Sequence, residues 1–250
     1  MKAVIRLVFL TALRDRLFSG LAGLAALVFG ISLFLGNAAL IEQSESGMVY
    51  AAGTTRVVLI LGLAIFMAFQ TQKLFESREI EAILSRSLSR NRFVIAYWLG
   101  FAVAACLLVL LISIALFALY GASAATLAWS LSLLLEAFVI LAFVLFTALT
   151  LERATTTIFV TLSFYALCRL IGFFLGIRDA TPDIGANRIV NPMLDALGMI
   201  VPRLDLMAQT SWLVYGFKAV EQISFVLTQS LVFIALALTA AAFDLQKKQF

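Results

Sequence analysis

The fold is decided by residues 57–119, which read VVLILGLAIFMAFQTQKL (57–74), FESREIEAILSRSLSRNR (75–92) and FVIAYWLGFAVAACLLVLLISIALFAL (93–119). A bilayer core about 30 Å thick needs about 20 apolar residues per helix, so the two outer runs predict membrane spans. The middle run is rich in charge. It predicts a charged helix fixed between two spans, where a soluble protein can bind from the water.

The composition extends this interpretation to the whole chain. The 250 residues are 63% hydrophobic and 13% charged, whereas a soluble domain carries about 25% charge. A soluble protein of this size could not bury so much apolar surface. We therefore predict a single all-α integral membrane domain over 1–250, with no separate soluble domain and no nucleic-acid interface.

The absence of histidine limits the chemistry. It removes the commonest general base and the commonest metal and haem ligand, and it excludes Ser-His catalysis. The two cysteines, Cys106 and Cys168, lie inside apolar runs, where they predict packing residues rather than a disulfide. The sequence gives no catalytic residue and no metal site.

Six apolar runs predict six transmembrane helices. With the N-terminus inside, most of the 18 lysines and arginines lie in cytoplasmic segments, so we predict that both termini are cytoplasmic. The predicted spans are 17–41, 57–74, 93–119, 127–151, 155–175 and 223–243.

The first 16 residues predict a helix of their own. Apolar residues recur at helical spacing on one face, while Lys2, Arg6, Arg14 and Asp15 take the other. This pattern is typical of a helix lying in the cytoplasmic interface, near anionic headgroups. The alternative is a plain continuation of the first span. The apolar face consists of Ile5, Val8, Phe9, Ala12 and Leu13.

The charged segment 75–92 has the pattern of a short amphipathic helix. Ile80, Ile83, Leu84 and Leu88 form one apolar stripe. Acidic side chains precede basic ones along the segment, an order that complements the helix dipole. The alternative is a solvated helix whose arginines merely follow the positive-inside rule.

The sequence EIEAILSRSLSRNRFVIAYWLG (79–100) resembles the segment after the second span of type-2 ATP-binding cassette (ABC) exporter permeases. That family's pattern is an acidic residue, a helix ending in Leu-Leu, then Pro-x-Ser-Arg, and a Lys-x-Leu-Gly-like start of the third span. Ser87 stands where proline is usual, and Tyr97 where lysine is usual. The matching residues are Glu79, Glu81, Ile83, Leu84, Ser89, Arg90, Leu99 and Gly100.

The resemblance implies a transporter subunit rather than an enzyme. In that family this segment is the coupling helix that docks in a groove of the ATPase subunit. The chain has no G-x-x-x-x-G-K-[ST] phosphate loop, so ATP and Mg²⁺ would belong to a separate nucleotide-binding subunit and this chain would hold no cofactor. The residues implied to contact the ATPase are Glu76, Glu79, Glu81, Ile83, Leu84, Arg86, Ser89 and Arg90.

The same resemblance implies the assembly and its membrane. One six-span chain is half a pathway in this family, which implies a homodimer or a heterodimer together with two ATPase subunits. The segment VPRLDLMAQTSWLVYG (201–216) resembles a bacterial subgroup of such permeases. The implied activity is therefore ATP-driven export across a bacterial inner membrane, with the substrate unspecified.

The long outer segment 176–222 predicts two short helices. Asn191 and Pro192 have the pattern of an N-cap followed by a first-turn proline, and Pro202 predicts the helix stop. A second run covers 204–213. We predict a hairpin that lies against the outer leaflet or dips into it, as the exit-capping hairpin of type-2 permeases does. The alternative is an ordinary surface loop. The implied outer-gate residues are Pro192, Pro202, Asp205 and Trp212.

Two charges fall inside predicted spans. Glu136 lies roughly 13 Å, and Arg169 roughly 9 Å, below the outer end of its span at 1.5 Å per residue. Each costs on the order of 2.5–3.5 kcal/mol at mid-membrane. Three interpretations stay open: the two residues pair, Glu136 faces a transport pathway, or neither applies.

Two further function classes remain as alternatives. The first is a haem-exporter-type membrane subunit of cytochrome c maturation, which also has six spans, although the absence of histidine disfavours haem handling. The second is a non-transporting membrane scaffold, which predicts no ATPase partner.

Overall fold

The structure, a computed structural model, describes residues 2–38, 43–77, 89–151, 153–180, 187–217 and 220–247. Every regular element within these ranges is helical, and six of the described helices are long and apolar enough to cross a membrane. These findings confirm the predicted all-α class and the predicted number of candidate spans. The helices are α1 (Lys2–Arg14), α2 (Arg16–Asn37), α3 (Gln43–Glu76), α4 (Arg90–Tyr120), α5 (Ala124–Leu151), α6 (Ala154–Ala180), α7 (Asn187–Ile200), α8 (Ser211–Tyr215) and α9 (Val220–Lys247).

Local capping explains where several helices begin and end. The backbone N–H of Leu17 donates to Asp15 Oδ1 at 2.7 Å, so α2 begins as a separate helix after α1. Helix α4 ends at Gly121, whose φ of 83° is freely available to glycine. Ser123 and Thr126 then exchange backbone-to-hydroxyl hydrogen bonds and start α5.

Helix α5 lies at the centre of the bundle and contacts α3, α4, α6 and α9. Trp129, Leu133 and Ile140 on α5 are among the largest fully buried side chains. The outward faces of α2, α6 and α9 carry exposed large apolar residues, as expected for helices that contact lipid.

Helix α1 uses its apolar face against the protein. Val4, Val8 and Ala12 are buried, and α1 contacts α4 where Gly100 would place a Cβ only 2.6 Å from the Val8 Cβ. Leu13, which the sequence places on the same face, is 39% exposed. The predicted apolar stripe therefore covers α4 more than it faces a lipid surface.

Helix α3 is longer than the predicted span 57–74. It begins at Gln43, because its first half packs along α2 and the hydroxyls of Ser32 and Thr54 lie 2.8 Å apart. Arg56 therefore lies inside a helix, about 20 Å from the start of α3 at 1.5 Å per residue. The predicted span 57–74 would place Arg56 just before the helix, and that start is wrong.

The outer segment also differs from prediction. Helix α7 begins at Asn187, one turn before the predicted N-cap at Asn191, so Pro192 lies inside the helix rather than in its first turn. The proline removes a single backbone hydrogen bond, which the rest of the amphipathic helix tolerates. Helix α7 ends at Ile200, two residues before Pro202.

The predicted second helix over 204–213 is also wrong. The structure has a 3₁₀ turn at Leu204–Leu206 and the short helix α8, separated by an irregular stretch. Ala208 has a φ of 43°, which a right-handed helix does not allow. Besides the hydrogen bonds of its own turn, the backbone here bonds to side chains of other helices, as the next subsection describes.

Candidate functional site

A non-helical segment, residues 201–210, is buried among the spanning helices. Val201, Leu204, Met207 and Ala208 are each less than a tenth exposed. Inside a membrane protein, irregular backbone needs protein partners or a water-filled cavity for its N–H and C=O groups. The partners of this segment therefore define the site.

Arg169 on α6 supplies the first set of partners. Its Nη1 donates to the carbonyl oxygen of Leu204 and, at 3.0 Å, to that of Met207. One guanidinium thus holds both sides of the 3₁₀ turn. Arginine suits this role because its planar group presents five donors in a fixed geometry.

The backbone of Ala208 receives the second set. Its carbonyl oxygen accepts from Arg56 Nη1 at 2.7 Å and from Trp129 Nε1 at 3.0 Å, and its N–H donates to Ser132 Oγ at 2.8 Å. Helices α3 and α5 therefore hold the residue whose positive φ breaks the helix.

Glu136 on α5 lies at the centre of these arginines and is fully buried. Its Oε1 is 3.6 Å from Arg169 Nε and accepts a hydrogen bond from Tyr165 Oη at 3.0 Å. Arg56 is close enough to interact electrostatically with both Glu136 and Arg169. The structure thus brings together the two intramembrane charges that the sequence singled out, and it adds Arg56.

Asp205, one of the predicted outer-gate residues, lies beside this cluster. Arg203 binds it with two parallel hydrogen bonds, Nε to Oδ1 at 2.9 Å and Nη2 to Oδ2 at 2.8 Å. The carboxylate lies against Gly172 on α6, where any Cβ would collide with it. Glycine at this position therefore lets the segment approach the helix.

An open cleft of about 390 Å³ adjoins the cluster. It is lined by polar residues of α3, α6, the non-helical segment and the start of α8. We call it the arginine cleft; its lining residues are Arg56, Arg169, Asp205, Gln209, Thr210 and Ser211.

The other predicted outer-gate residues lie apart from the cleft lining. Pro192 is exposed on α7, and Pro202 is buried at the start of the non-helical segment. Trp212 on α8 is buried and packs edge-on against Phe217, with ring centroids 5.0 Å apart.

The opposite end of the bundle, the charged-segment end, is where α3 finishes and α4 begins. Glu76 ends α3 and accepts from Gln72 Nε2 at 2.5 Å, and Ser89 is the N-cap of α4. Arg90 Nη1 donates to the carbonyl oxygens of Leu245 at 2.7 Å and Gln246 at 2.9 Å. Glu79, Glu81, Ile83, Leu84 and Arg86 lie outside the described residues.

Two more hydrogen bonds join helices at this end. Gln72 Oε1 accepts from the backbone N–H of Ala154 at 2.7 Å, which links α3 to the start of α6. Gln70 Nε2 donates to Asp15 Oδ2 at 2.5 Å, which links α3 to the start of α2. The end of α3 therefore contacts the starts of two other spans.

Sequence reasoning missed four residues of the cluster. Trp129 and Ser132 had a usable signal, since they precede Glu136 by seven and four residues and share its helix face. Tyr165 likewise lies four residues before Arg169 on α6. Arg56 carried a misleading signal, because it directly precedes an apolar run of the length of a span.

Comparison with protein-family models finds no match to this chain, and comparison with curated proteins finds none either. Within the residues that the structure describes, no group of three or more Cys, Asp or Glu side chains lies together in a way that could hold a metal ion.

Proposed function

We propose that the chain is the transmembrane permease subunit of an ATP-binding cassette exporter in a bacterial inner membrane. It would move an unidentified substrate with ATP hydrolysed, with Mg²⁺, on a separate subunit. The proposal includes cytoplasmic termini, a second permease chain and two ATPase subunits. Six candidate spans and the resemblance of residues 79–100 to the type-2 coupling segment support it.

The observation that carries the proposal is that the end of α3 and the start of α4, which adjoin the charged segment, are each hydrogen-bonded to another candidate span. Where α3 finishes, Gln72 binds the first backbone N–H of α6. Where α4 begins, Arg90 binds two carbonyl oxygens in the last turn of α9. A solvated loop that only followed the positive-inside rule would need no such attachments.

These attachments give a mechanical route. A partner that displaced segment 77–89 would move the adjoining ends of α3 and α4 directly, and α6 and α9 through the hydrogen bonds of Gln72 and Arg90. Helices α3 and α6 also carry Arg56 and Arg169, which hold the non-helical segment farther along the bundle. Movement at the ATPase side would thus reach segment 201–210 through two rigid helices.

The test is affinity purification of the tagged chain from native membranes in mild detergent, with mass spectrometry of the copurifying proteins. We expect a P-loop ATPase in a one-to-one ratio with the chain. Arg86→Glu and Glu81→Lys should each reduce its recovery at least about tenfold, because a charge reversal in a docking surface costs several kcal/mol.

Arg6→Glu is the matched control. Arg6 is exposed on α1 and lies on the same predicted side of the membrane, outside the charged segment. It should leave ATPase recovery within about twofold of the unaltered chain. Recovery of the chain as a homo-oligomer without an ATPase would contradict the proposal and favour the scaffold alternative.

A further inference from the structure

We propose that the arginine cleft is a binding site for a compact oxyanion, a phosphate group. The inference goes beyond the proposed function, because it concerns what the chain itself binds and requires no ATPase. It rests on the charge, the donors and the size of the cleft.

The charges at the cleft do not balance. Arg56, Arg169 and Arg203 face two carboxylates, Glu136 and Asp205, which leaves one positive charge in excess. Arg169 is only 16% exposed and Glu136 is fully buried, so water screens the cluster poorly. An excess charge in such surroundings is unfavourable, and a bound anion would neutralise it.

Asp205 lines the cleft, but its charge is already compensated. Both carboxylate oxygens accept hydrogen bonds from Arg203, in the bidentate geometry that gives the strongest arginine–carboxylate pairs. The excess charge therefore belongs to Arg56 and Arg169, which share Glu136 between them.

The lining is rich in hydrogen-bond donors. Gln209 offers an amide, Thr210 and Ser211 offer hydroxyls, and the two arginines offer guanidinium groups. Arg56 Nε and Arg169 Nη2 are buried and have no hydrogen-bond partner among the described residues, so the carbonyl contacts do not use every donor of either arginine. Guanidinium groups and oxyanions match in geometry as well as in charge.

The size fits a head group rather than an acyl chain. About 390 Å³ lies at the lower end of the volumes that hold small ligands, and the side chains that line the cleft are polar. The same chemistry would serve a free anion from the water or the head group of an anionic lipid. The experiment separates these two sources.

The purified full-length chain in neutral detergent is titrated with inorganic phosphate, with dihexanoylphosphatidic acid and with dihexanoylglycerol, while thermal unfolding is followed. A ligand that binds only the folded chain raises the Tm with its concentration, and the dependence gives a Kd. Dihexanoylglycerol has the same tails without the phosphate. We expect protection by at least one phosphate-bearing probe and little by dihexanoylglycerol.

Ser211→Asp tests the location. Ser211 is exposed at the first position of α8, so an aspartate there is compatible with folding and adds a negative charge to the cleft wall. We expect the Kd of the protecting probe to rise about tenfold, as for one like charge at close range in a partly screened site. Ser211→Asn, of equal size and uncharged, should weaken binding much less.

Each outcome is decisive. Protection by phosphate alone, or equal protection by phosphate and phosphatidic acid, supports a free-anion site, whereas protection by phosphatidic acid alone supports a head-group site. Protection by no probe, equal protection by dihexanoylglycerol, or equal binding by Ser211→Asp and Ser211→Asn would overturn the proposal. None of these outcomes bears on whether an ATPase copurifies.

Discussion

Arginine side chains bind backbone carbonyl oxygens at two places in this bundle, under different degrees of burial. At the arginine cleft, Arg169 holds Leu204 and Met207 beside the fully buried Glu136. At the charged-segment end, the half-buried Arg90 holds the carbonyl oxygens of the buried Leu245 and the exposed Gln246 in the last turn of α9. The chemistry of the contacts is the same, and water access differs.

That difference in water access decides how much each contact contributes to the free energy of unfolding. When a buried group loses its hydrogen-bond partner, water cannot take the partner's place. Removing the partner therefore leaves an unsatisfied charge or carbonyl. An exposed carbonyl exchanges one donor for another at little cost. The cleft contacts are therefore suited to fixing the path of segment 201–210, and the Arg90 contacts are suited to forming and breaking during movement.

Removing Arg169, whose bound carboxylate and carbonyl groups belong to buried residues, should have the largest effect. Arg169→Gln deletes the ion pair with Glu136 and at least one carbonyl contact, and should lower the free energy of unfolding by about 3–5 kcal/mol. Chemical unfolding of the purified chain in detergent measures this. If the variant loses less than about 1 kcal/mol, the comparison between the Arg169 and Arg90 contacts fails.

The double variant Glu136→Gln with Arg169→Gln tests how the charge of Glu136 affects the free energy of unfolding once Arg169 is gone. It removes the carboxylate that Arg169→Gln leaves to Arg56, while Tyr165 keeps an acceptor for its hydroxyl. We expect the double variant to be at least about 1 kcal/mol less stable than Arg169→Gln alone, because Arg56 then loses the carboxylate that balances its charge. Equal stability of the two variants would show that Arg56 gains nothing from Glu136.

A glycine pair on α6 should give effects of opposite sign. Gly172→Ala forces a Cβ into the Asp205 carboxylate and should destabilise the chain by about 1–3 kcal/mol. Gly176→Ala, one turn later, meets nothing within 4 Å and should stabilise the helix by about 0.5–1 kcal/mol. The same unfolding experiment compares them. Equal effects would contradict the close approach of the segment to α6.

The sequence predicted the coarse fold because apolar length alone identifies a spanning helix. It also singled out Glu136 and Arg169, because a charge inside an apolar run is conspicuous. It failed at Arg56, because hydropathy cannot tell the end of a helix from the end of its apolar part. Packing against α2 extends α3 through thirteen residues before Arg56, beginning at Gln43.

The path of segment 201–210 could not be predicted for a different reason. Its apolar residues have the spacing of a helix, but the side chains that bond to its backbone come from four other helices. They are Arg56, Trp129, Ser132, Arg169 and, on α9, Gln229. Local patterns carry no information about such distant donors. The predicted start of α7 was wrong for a simpler reason. Asn191 and Pro192 match the local pattern of a helix N-terminus, but the helix already begins at Asn187.

Two tryptophans extend the comparison to smaller effects. Trp129→Phe removes a 3.0 Å hydrogen bond to the buried Ala208 carbonyl and should cost about 1 kcal/mol beyond the loss of ring volume. Trp98→Phe removes a 3.4 Å contact to the Phe138 carbonyl from a half-buried ring and should cost less. If Trp98→Phe costs more than Trp129→Phe, burial is not what decides the strength of these contacts.

The smallest effect on global stability belongs to Arg90. Arg90→Gln should lower the free energy of unfolding by less than about 1 kcal/mol, because water can replace the lost donor at the exposed Gln246 carbonyl. The effect should instead be local. Amide hydrogen exchange at 243–247 should accelerate several-fold in Arg90→Gln, and far less in Arg92→Gln, an exposed arginine on the same turn.

That pattern, a strong local effect with a weak global one, is what a contact used in movement requires. A global loss as large as that of Arg169→Gln would mean that Arg90 fixes the bundle rather than joining two movable elements. The charged segment would then be attached too firmly at this point for an ATPase partner to move α4 relative to α9. The link between the charged segment and α9 in the proposed mechanism would have to be abandoned, while the Gln72 link to α6 would stand.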